Sequence, residues 1–342
     1  MSEPTPATLG GAPPLRFSLG RLFSALGPFL ALILVIGIFA AVNGRNFISV
    51  ANLQTILSDS AIVALAALGM TLVIIGGGID LSTGSLVALS SVMCAKALAA
   101  LTPAGAQSLS AVCWIAAFAA GIGTGLVCGM LNGLTVTGLR VVPFIATLGM
   151  LSIARGVAKW QAHNVPIDIN YAFGNWVQPF VDPPWLILAP SVWITLLLVV
   201  VFSLILQRTI FGRHVVALGS SEATARLCGL KISRLKIFLY MISGACAGLA
   251  GVVQTARLTR GDPSVATGLE LNVIAAVVIG GGSLSGGEGS IWGTLVGALI
   301  MGVLSAGATQ AGWENYVQEI LVGLIIVLAV ALDQLRARRA AQ

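Results

Sequence analysis

The chain has 342 residues, of which 57% are hydrophobic and only 9% charged, and its mean hydropathy is +0.98. A soluble domain carries about 25% charged residues, so an ordinary water-soluble globule is excluded. The net charge of +6 and pI of about 9.4 raise the possibility of nucleic acid. The cations, however, sit at the ends of apolar runs without interleaved aromatics, which is the orientation signal of a membrane protein. The partner this implies is the lipid bilayer, with no nucleic acid.

Residues 1–21 are polar and rich in Pro and Ala, with no convincing small-residue cleavage site, and read as a flexible cytoplasmic tail. The transmembrane domain then occupies 22–342. Crossing the hydrocarbon core takes about 20 mostly apolar residues per helix. Apolar length, Gly/Pro breaks and charge place ten candidate helices near 25–43, 59–77, 83–101, 110–134, 143–160, 186–207, 236–256, 269–283, 290–308 and 316–333. The runs are continuous rather than alternating, so the expected fold is an all-α polytopic transmembrane bundle and not a barrel. An even count puts both termini on one side. That side collects Arg16, Arg21, Arg140, Arg336, Arg338, Arg339 and the cations of the 208–236 loop, against Arg45, Arg257 and Arg260 opposite. The positive-inside rule makes it the cytoplasm.

Two Gly-dense interruptions, 76–85 (GGGIDLSTGS) and 280–290 (GGGSLSGGEGS), fall one in each half of the chain. Paired interruptions point to internal duplication and to unwound backbone along a pathway; glycine-rich turns between spans are the plainer reading. Segments 59–101 and 269–308 could each hold a broken or re-entrant element. Asp80, Ser82, Asn132, Thr147, Gln254 and Asn272 are polar residues in or at the ends of spans. They are candidates to line a pathway, or else interhelical glue. Asp59, Asp80, Glu270, Glu288 and Glu319 fall near span ends, so no mid-span carboxylate is evident for an ion-coupled carrier. Arg155 and Lys159 have stems long enough to snorkel.

Other chemistry is missing from the sequence. No G-x-x-x-x-G-K-[ST] occurs, so ATP is not held in a P-loop. His163 and His214 are far apart and supply neither a metal site nor a His-based catalytic centre, and an enzyme is not expected. Cys94, Cys113, Cys128, Cys228 and Cys246 show no pairing pattern and read as small buried hydrophobes.

The loop at 208–236 carries Arg208, Arg213, Arg226, Lys231, Arg234 and Lys236 and is the longest basic segment between apolar runs. Within it Ser221 is a good N-cap, Glu222 suits the positive end of a helix dipole and Gly229 is a natural stop. A two-turn helix over 222–228 is predicted, with Ala223 and Leu227 on one face. Such a helix suits a groove on a partner protein; a solvated loop that merely follows charge bias is the alternative.

The segment GRHVVALGSSEATARLCGL (212–230) resembles the cytoplasmic coupling segment of bacterial ABC importer permeases of the ribose/monosaccharide class. GGGIDLSTGS at 76–85, VPFIATLGMLSIARG at 142–156, and GGGSLSGGEGSIWGTLVGALIMGVL at 280–304 agree with it in order. The match runs from about the first span to the C-terminus. Two places depart from the pattern: Ser220-Ser221 stands where Gly-Asn is expected, and Ser305-Ala306-Gly307 replaces an Asn-Asn-Gly-like turn. The resemblance implies a pair of permease subunits, identical or similar, in the inner membrane. Two cytoplasmic ATP-binding-cassette ATPase subunits would hold ATP and Mg, and a periplasmic sugar-binding protein would deliver substrate; this chain itself would bind no cofactor. It places Ser221, Glu222, Ala223, Ala225, Arg226 and Gly229 in or beside the ATPase cleft. On the outer face Arg257 and Arg260 are candidates to meet acidic groups of the binding protein, and Trp176, Phe180 and Trp185 read as an interfacial aromatic belt. The competing readings are an ion-coupled secondary transporter of a small polar solute and a membrane subunit without a pathway.

Overall fold

A computed structural model describes residues 19–101, 111–169 and 187–340. The tail up to residue 18 and the residues Trp176, Phe180 and Trp185 lie outside them, while residues 19–21 already belong to the first helix. In chain order the helices are α1 (Leu19–Asn43), a short 3₁₀ turn (Arg45–Ile48), α2 (Val50–Ile75), α3 (Thr83–Leu101), α4 (Ala111–Gly138) and α5 (Pro143–Gln161). They continue with α6 (Pro190–Arg208), α7 (Ile210–Ser220), α8 (Glu222–Leu227), α9 (Ile232–Leu258), α10 (Leu269–Ile279), α11 (Ile291–Gln310) and α12 (Asn315–Ala340). Two two-residue strands, β1 (Ile167–Asp168) and β2 (Arg260–Gly261), pair antiparallel with Ile167 opposite Gly261. The all-α bundle is as expected, and each of the ten predicted segments contains a helix.

Seven of these helices among the described residues are long and apolar enough to cross a membrane: α2, α3, α4, α6, α9, α11 and α12. Ten segments of span length were expected, and α10 shows one reason for the difference. Its 11 residues rise only about 16 Å at 1.5 Å per residue, half of a hydrocarbon core of about 30 Å. The chain before it, 262–268, is non-helical and includes Pro263. Arg155 holds that stretch, donating to the carbonyls of Pro263 (3.0 Å), Val265 (2.7 Å) and Ala266 (3.5 Å). The snorkelling expected of Arg155 is therefore corrected: it turns inward to satisfy unwound backbone. Helix α2 also starts nine residues before the predicted 59, because the Ser49 hydroxyl accepts from the Asn52 amide and caps it.

The centre of the bundle is formed by α2, most of it buried and packed by α9, α11, α10 and α6, and by α9, which also carries α3 and α4. Lipid gives helices no hydrophobic drive to associate, so close approach through small residues has to supply the packing. The α4–α9 crossing shows this: Gly125 and Gly129 of α4 press directly on the backbone of Gly244 and Tyr240. A Cβ on Gly69 of α2 would lie 2.6 Å from the Cα of Ser243 on α9. Cys94 and Cys246 are buried as expected of all five cysteines, Cys113 and Cys128 are half-buried, and the expectation fails at Cys228, which is exposed beyond α8.

Both Gly-dense interruptions begin with the same turn. Gly77 donates to Ile74 O and Gly78 to Val73 O; Gly281 donates to Val278 O and Gly282 to Val277 O. These are Schellman endings, with Gly77 (φ 77°) and Gly281 (φ 90°) in the left-handed conformation that only glycine adopts without strain. VIIGGG at 73–78 thus recurs as VVIGGG at 277–282 in sequence and in backbone. The continuations differ. Residues 283–290 close a turn capped by Ser290, whose hydroxyl accepts from the Gly293 amide at 3.1 Å, whereas 76–82 fold back into the bundle.

Candidate functional site

Two sites emerge, one at an end of the bundle and one inside it. At the end, the Thr209 hydroxyl accepts from Gly212 N (3.2 Å) and starts α7, an 11-residue helix within what reads as an irregular loop. Val215 and Leu218 of α7 are buried. The α7 C-terminus tucks Gly219 beneath the Gly77 turn, where Gly287 N donates to Ile75 O at 2.8 Å. The two Gly-rich interruptions and the entry to α8 therefore meet at one point.

Helix α8 follows, with bounds within one residue of those predicted. The Ser221 hydroxyl accepts from Thr224 N at 3.2 Å, and Gly229 (φ 82°) ends the helix. Ala225 is the buried contact; Ala223, Arg226 and Leu227 point outward, Leu227 being 89% exposed. Glu222 accepts from Arg226 (3.0 Å) on its own helix and from Lys236 (2.7 Å) on α9. The hydrogen bond from Lys236, aided by the nearby positive charges, holds the Glu222 carboxyl below the usual glutamate range. Ser221, Glu222, Ala223, Ala225, Arg226 and Gly229 thus form one protruding, stiffly capped unit.

Inside the bundle, four of the six predicted pathway residues come together. Asp80, Ser82 and Thr147 have no exposed surface, and Asn132 has 1%. Asp80 Oδ1 accepts from the Ser82 amide (3.1 Å) and hydroxyl (2.5 Å), and Oδ2 accepts from the Ser243 hydroxyl (2.8 Å). Asn132 donates to Ser82 Oγ at 2.9 Å, and Thr147 and Tyr240 donate to Ile79 O at 3.3 and 3.5 Å. These groups serve one another, as buried polar groups must, and are closed to solvent in this conformation. The expectation of carboxylates only at span ends is corrected at Asp80. It meets α9 eleven residues beyond Ile232, about 16 Å along the helix, because 76–82 double back.

Gln254 and Asn272 are half-buried and stand apart from this cluster. Arg257 is already engaged by Asp59 at 2.5 Å, and Arg260 lies 3.7 Å from Asp262; both sit at the opposite end from α8. Sequence reasoning missed Tyr240 and Ser243. Their signal was present: Lys236, Tyr240 and Ser243 follow at i, i+4 and i+7, a polar stripe in a stretch, 235–253, that is otherwise apolar.

An all-α bundle with seven helices long and apolar enough to cross a membrane among the described residues, and a capped helix exposed at one end, is the architecture of a polytopic membrane protein. The chain belongs to the permease family described as branched-chain amino acid transport system / permease component, which matches residues 52–330. It is 38% identical over 309 residues to the ribose import permease protein RbsC of Escherichia coli K12, covering 89% of this chain and 92% of that one. It is 37% identical to RbsC of Bacillus subtilis (93% and 95% covered) and 32% identical to the D-allose transport system permease protein AlsC of Escherichia coli (93% and 94%). No solved structure matches the chain. The chain is thus an ABC importer permease, a membrane transport subunit rather than an enzyme.

Proposed function

We propose that this chain carries a monosaccharide, ribose or a close relative, from periplasm to cytoplasm across the bacterial inner membrane, driven by ATP and Mg held on partner ATPase subunits. The exposed α8 unit supports the reading most directly. It presents Ala223, Arg226 and Leu227 outward on a two-turn helix that is fixed to the bundle by Ser221, Ala225 and the Glu222–Lys236 pair. A rigid, partly apolar knob of this kind suits a groove on a soluble partner. The ATPase occupies it, and the α8 end faces the cytoplasm. That end carries Arg140, Arg208, Arg213, Lys231 and Arg234, in keeping with the positive-inside rule. With α1, α5 and α10 counted beside the seven long apolar helices, the bundle has ten membrane segments and both termini inside. A second permease subunit completes the pathway, and a periplasmic binding protein docks at the end that holds Arg257 and Arg260.

Proteoliposomes containing this chain with its ATPase and binding protein test the reading. Uptake of radiolabelled D-ribose, or of another monosaccharide in a panel, requires ATP and both partners and survives an ionophore. Uptake by this chain alone that an ionophore abolishes would overturn it. The family's description favours branched-chain amino acids as a second reading, and leucine uptake in place of sugar uptake would select it.

A further inference from the structure

Helix α9 begins where the α8 unit ends, and three side chains on one of its faces reach other elements. Lys236, in its first turns, grips Glu222 of α8 at 2.7 Å. One turn on, Tyr240 donates to Ile79 O at 3.5 Å and packs over Gly78, where a Cβ would lie 2.7 Å from its hydroxyl. Nearly one further turn on, Ser243 donates to Asp80 Oδ2 at 2.8 Å. Positions i, i+4 and i+7 share a helix face, so one rigid rod connects the three contacts. Asp80 has no ion-pair partner among the described residues, and its remaining acceptor capacity goes to Ser82, at the N-terminus of α3. Ser82 is in turn held by Asn132 of α4.

We infer that the Ser243–Asp80 hydrogen bond is the latch through which movement of α8 reaches Asp80 and the start of α3, beyond the contact of Gly219 with the Gly77 turn, making Ser243 and Asp80 positioning residues for translocation. Physical reasons single out this contact. Segment 76–82 is the non-helical backbone that joins two central helices, α2 and α3. Among the described residues its side-chain hydrogen bonds from α9 come from Tyr240, at the long distance of 3.5 Å, and Ser243, with Leu239 packed against Gly76. In the dry interior of the bundle a hydrogen bond is stronger than in water, and an acceptor left without its donor is costly. Gly69 allows α2 to lie against the Ser243 backbone, and the Ser243 hydroxyl reaches Asp80 directly at 2.8 Å. When α9 tilts with α8, the 76–82 segment must follow or break this bond.

The inference rests on α8 being the element that the ATPase moves, and the test separates the two claims. The full permease–ATPase complex in nanodiscs is trapped with ATP, Mg and vanadate, and amide exchange is followed by mass spectrometry. In the unaltered complex, trapping changes exchange in peptides covering 221–230 and in peptides covering 76–86. In Ser243→Ala the response at 221–230 persists, while that at 76–86 weakens about tenfold, the factor expected when a buried hydrogen bond is lost and its acceptor is left unsatisfied. Ser243→Thr, which keeps the hydroxyl, restores it, and Asp80→Asn, which retains one acceptor, falls between. An equal response at 76–86 in Ser243→Ala and the unaltered complex overturns the latch. No response at 221–230 in the unaltered complex removes α8 from the ATPase, and the latch with it.

Discussion

Gly219 is the most tightly enclosed glycine among the described residues. A Cβ there would overlap the Ile75 carbonyl and the Gly287 amide, two backbone groups that hydrogen-bond to each other and cannot rotate away. Gly219→Ala therefore has to separate α7 from the Gly77 turn, and overpacking of this kind costs about 1–3 kcal/mol. The thermal unfolding midpoint of the purified protein drops, while Gly149→Ala, where the added Cβ meets nothing within 4 Å, leaves it unchanged or slightly higher. Equal midpoints would show that the α7 contact is loose. A second residue-scale effect follows from Glu222. Its carboxyl is held low in the folded protein, chiefly by Lys236. The stabilisation it gives is present above the ordinary glutamate range and is lost as pH falls through the lowered value. A spin label on Cys228 is expected to stay restrained at neutral and mildly acidic pH and become mobile only below that range. In Glu222→Gln the label is mobile throughout, and identical spectra for the two proteins at neutral pH would discount the pair.

Among elements, α8 depends most on a single cap. Its six residues are too few to form a helix in isolation, so Ser221 and the contacts of Ala225 must hold it. Ser221→Ala removes the acceptor for Thr224 N and costs about 1 kcal/mol, about a fivefold rise in amide exchange over 222–228. Ser221→Asn restores the unaltered rate. This element was legible in sequence because cap, acid and terminating glycine are local signals. The apolar spans were legible for the same reason, since length and hydropathy act within one segment. Helix α7 was not: its apolar residues are interleaved with Arg213 and His214, and only burial against α2 and α9 reveals which face matters. The depth of Asp80 was equally hidden. A glycine turn in sequence does not say whether the chain beyond it leaves the bundle, as 283–290 do, or re-enters it, as 76–82 do. That distinction depends on Ser243, Asn132 and Thr147, which lie 50 or more residues away.

For the whole molecule, the two ends of the bundle differ in charge and in build. One end carries α8, the Gly77 and Gly281 turns and the basic residues of 208–236. The other is tied by Asp59–Arg257, by Gln54 donating to Ile187 O at 2.7 Å, and by Gln310 donating to Asn52. The proposed orientation has the α8 end in the cytoplasm, and the molecule supplies its own probe. Cys228 is exposed there, Cys94 and Cys246 are buried, and Cys113 and Cys128 can be replaced by alanine. A membrane-impermeant maleimide should label Cys228 in inverted inner-membrane vesicles and fail to label it in intact spheroplasts. A cysteine in place of Ile187, which is 70% exposed at the opposite end, should give the reverse pattern once Cys228 is also replaced. Labelling of Cys228 from outside would turn the bundle over, leave α8 beyond reach of any ATP-bearing partner, and require the energy for transport to enter elsewhere. With the expected pattern, α8 lies within reach of an ATP-bearing partner, and α9 is the element placed to carry its movement toward Asp80.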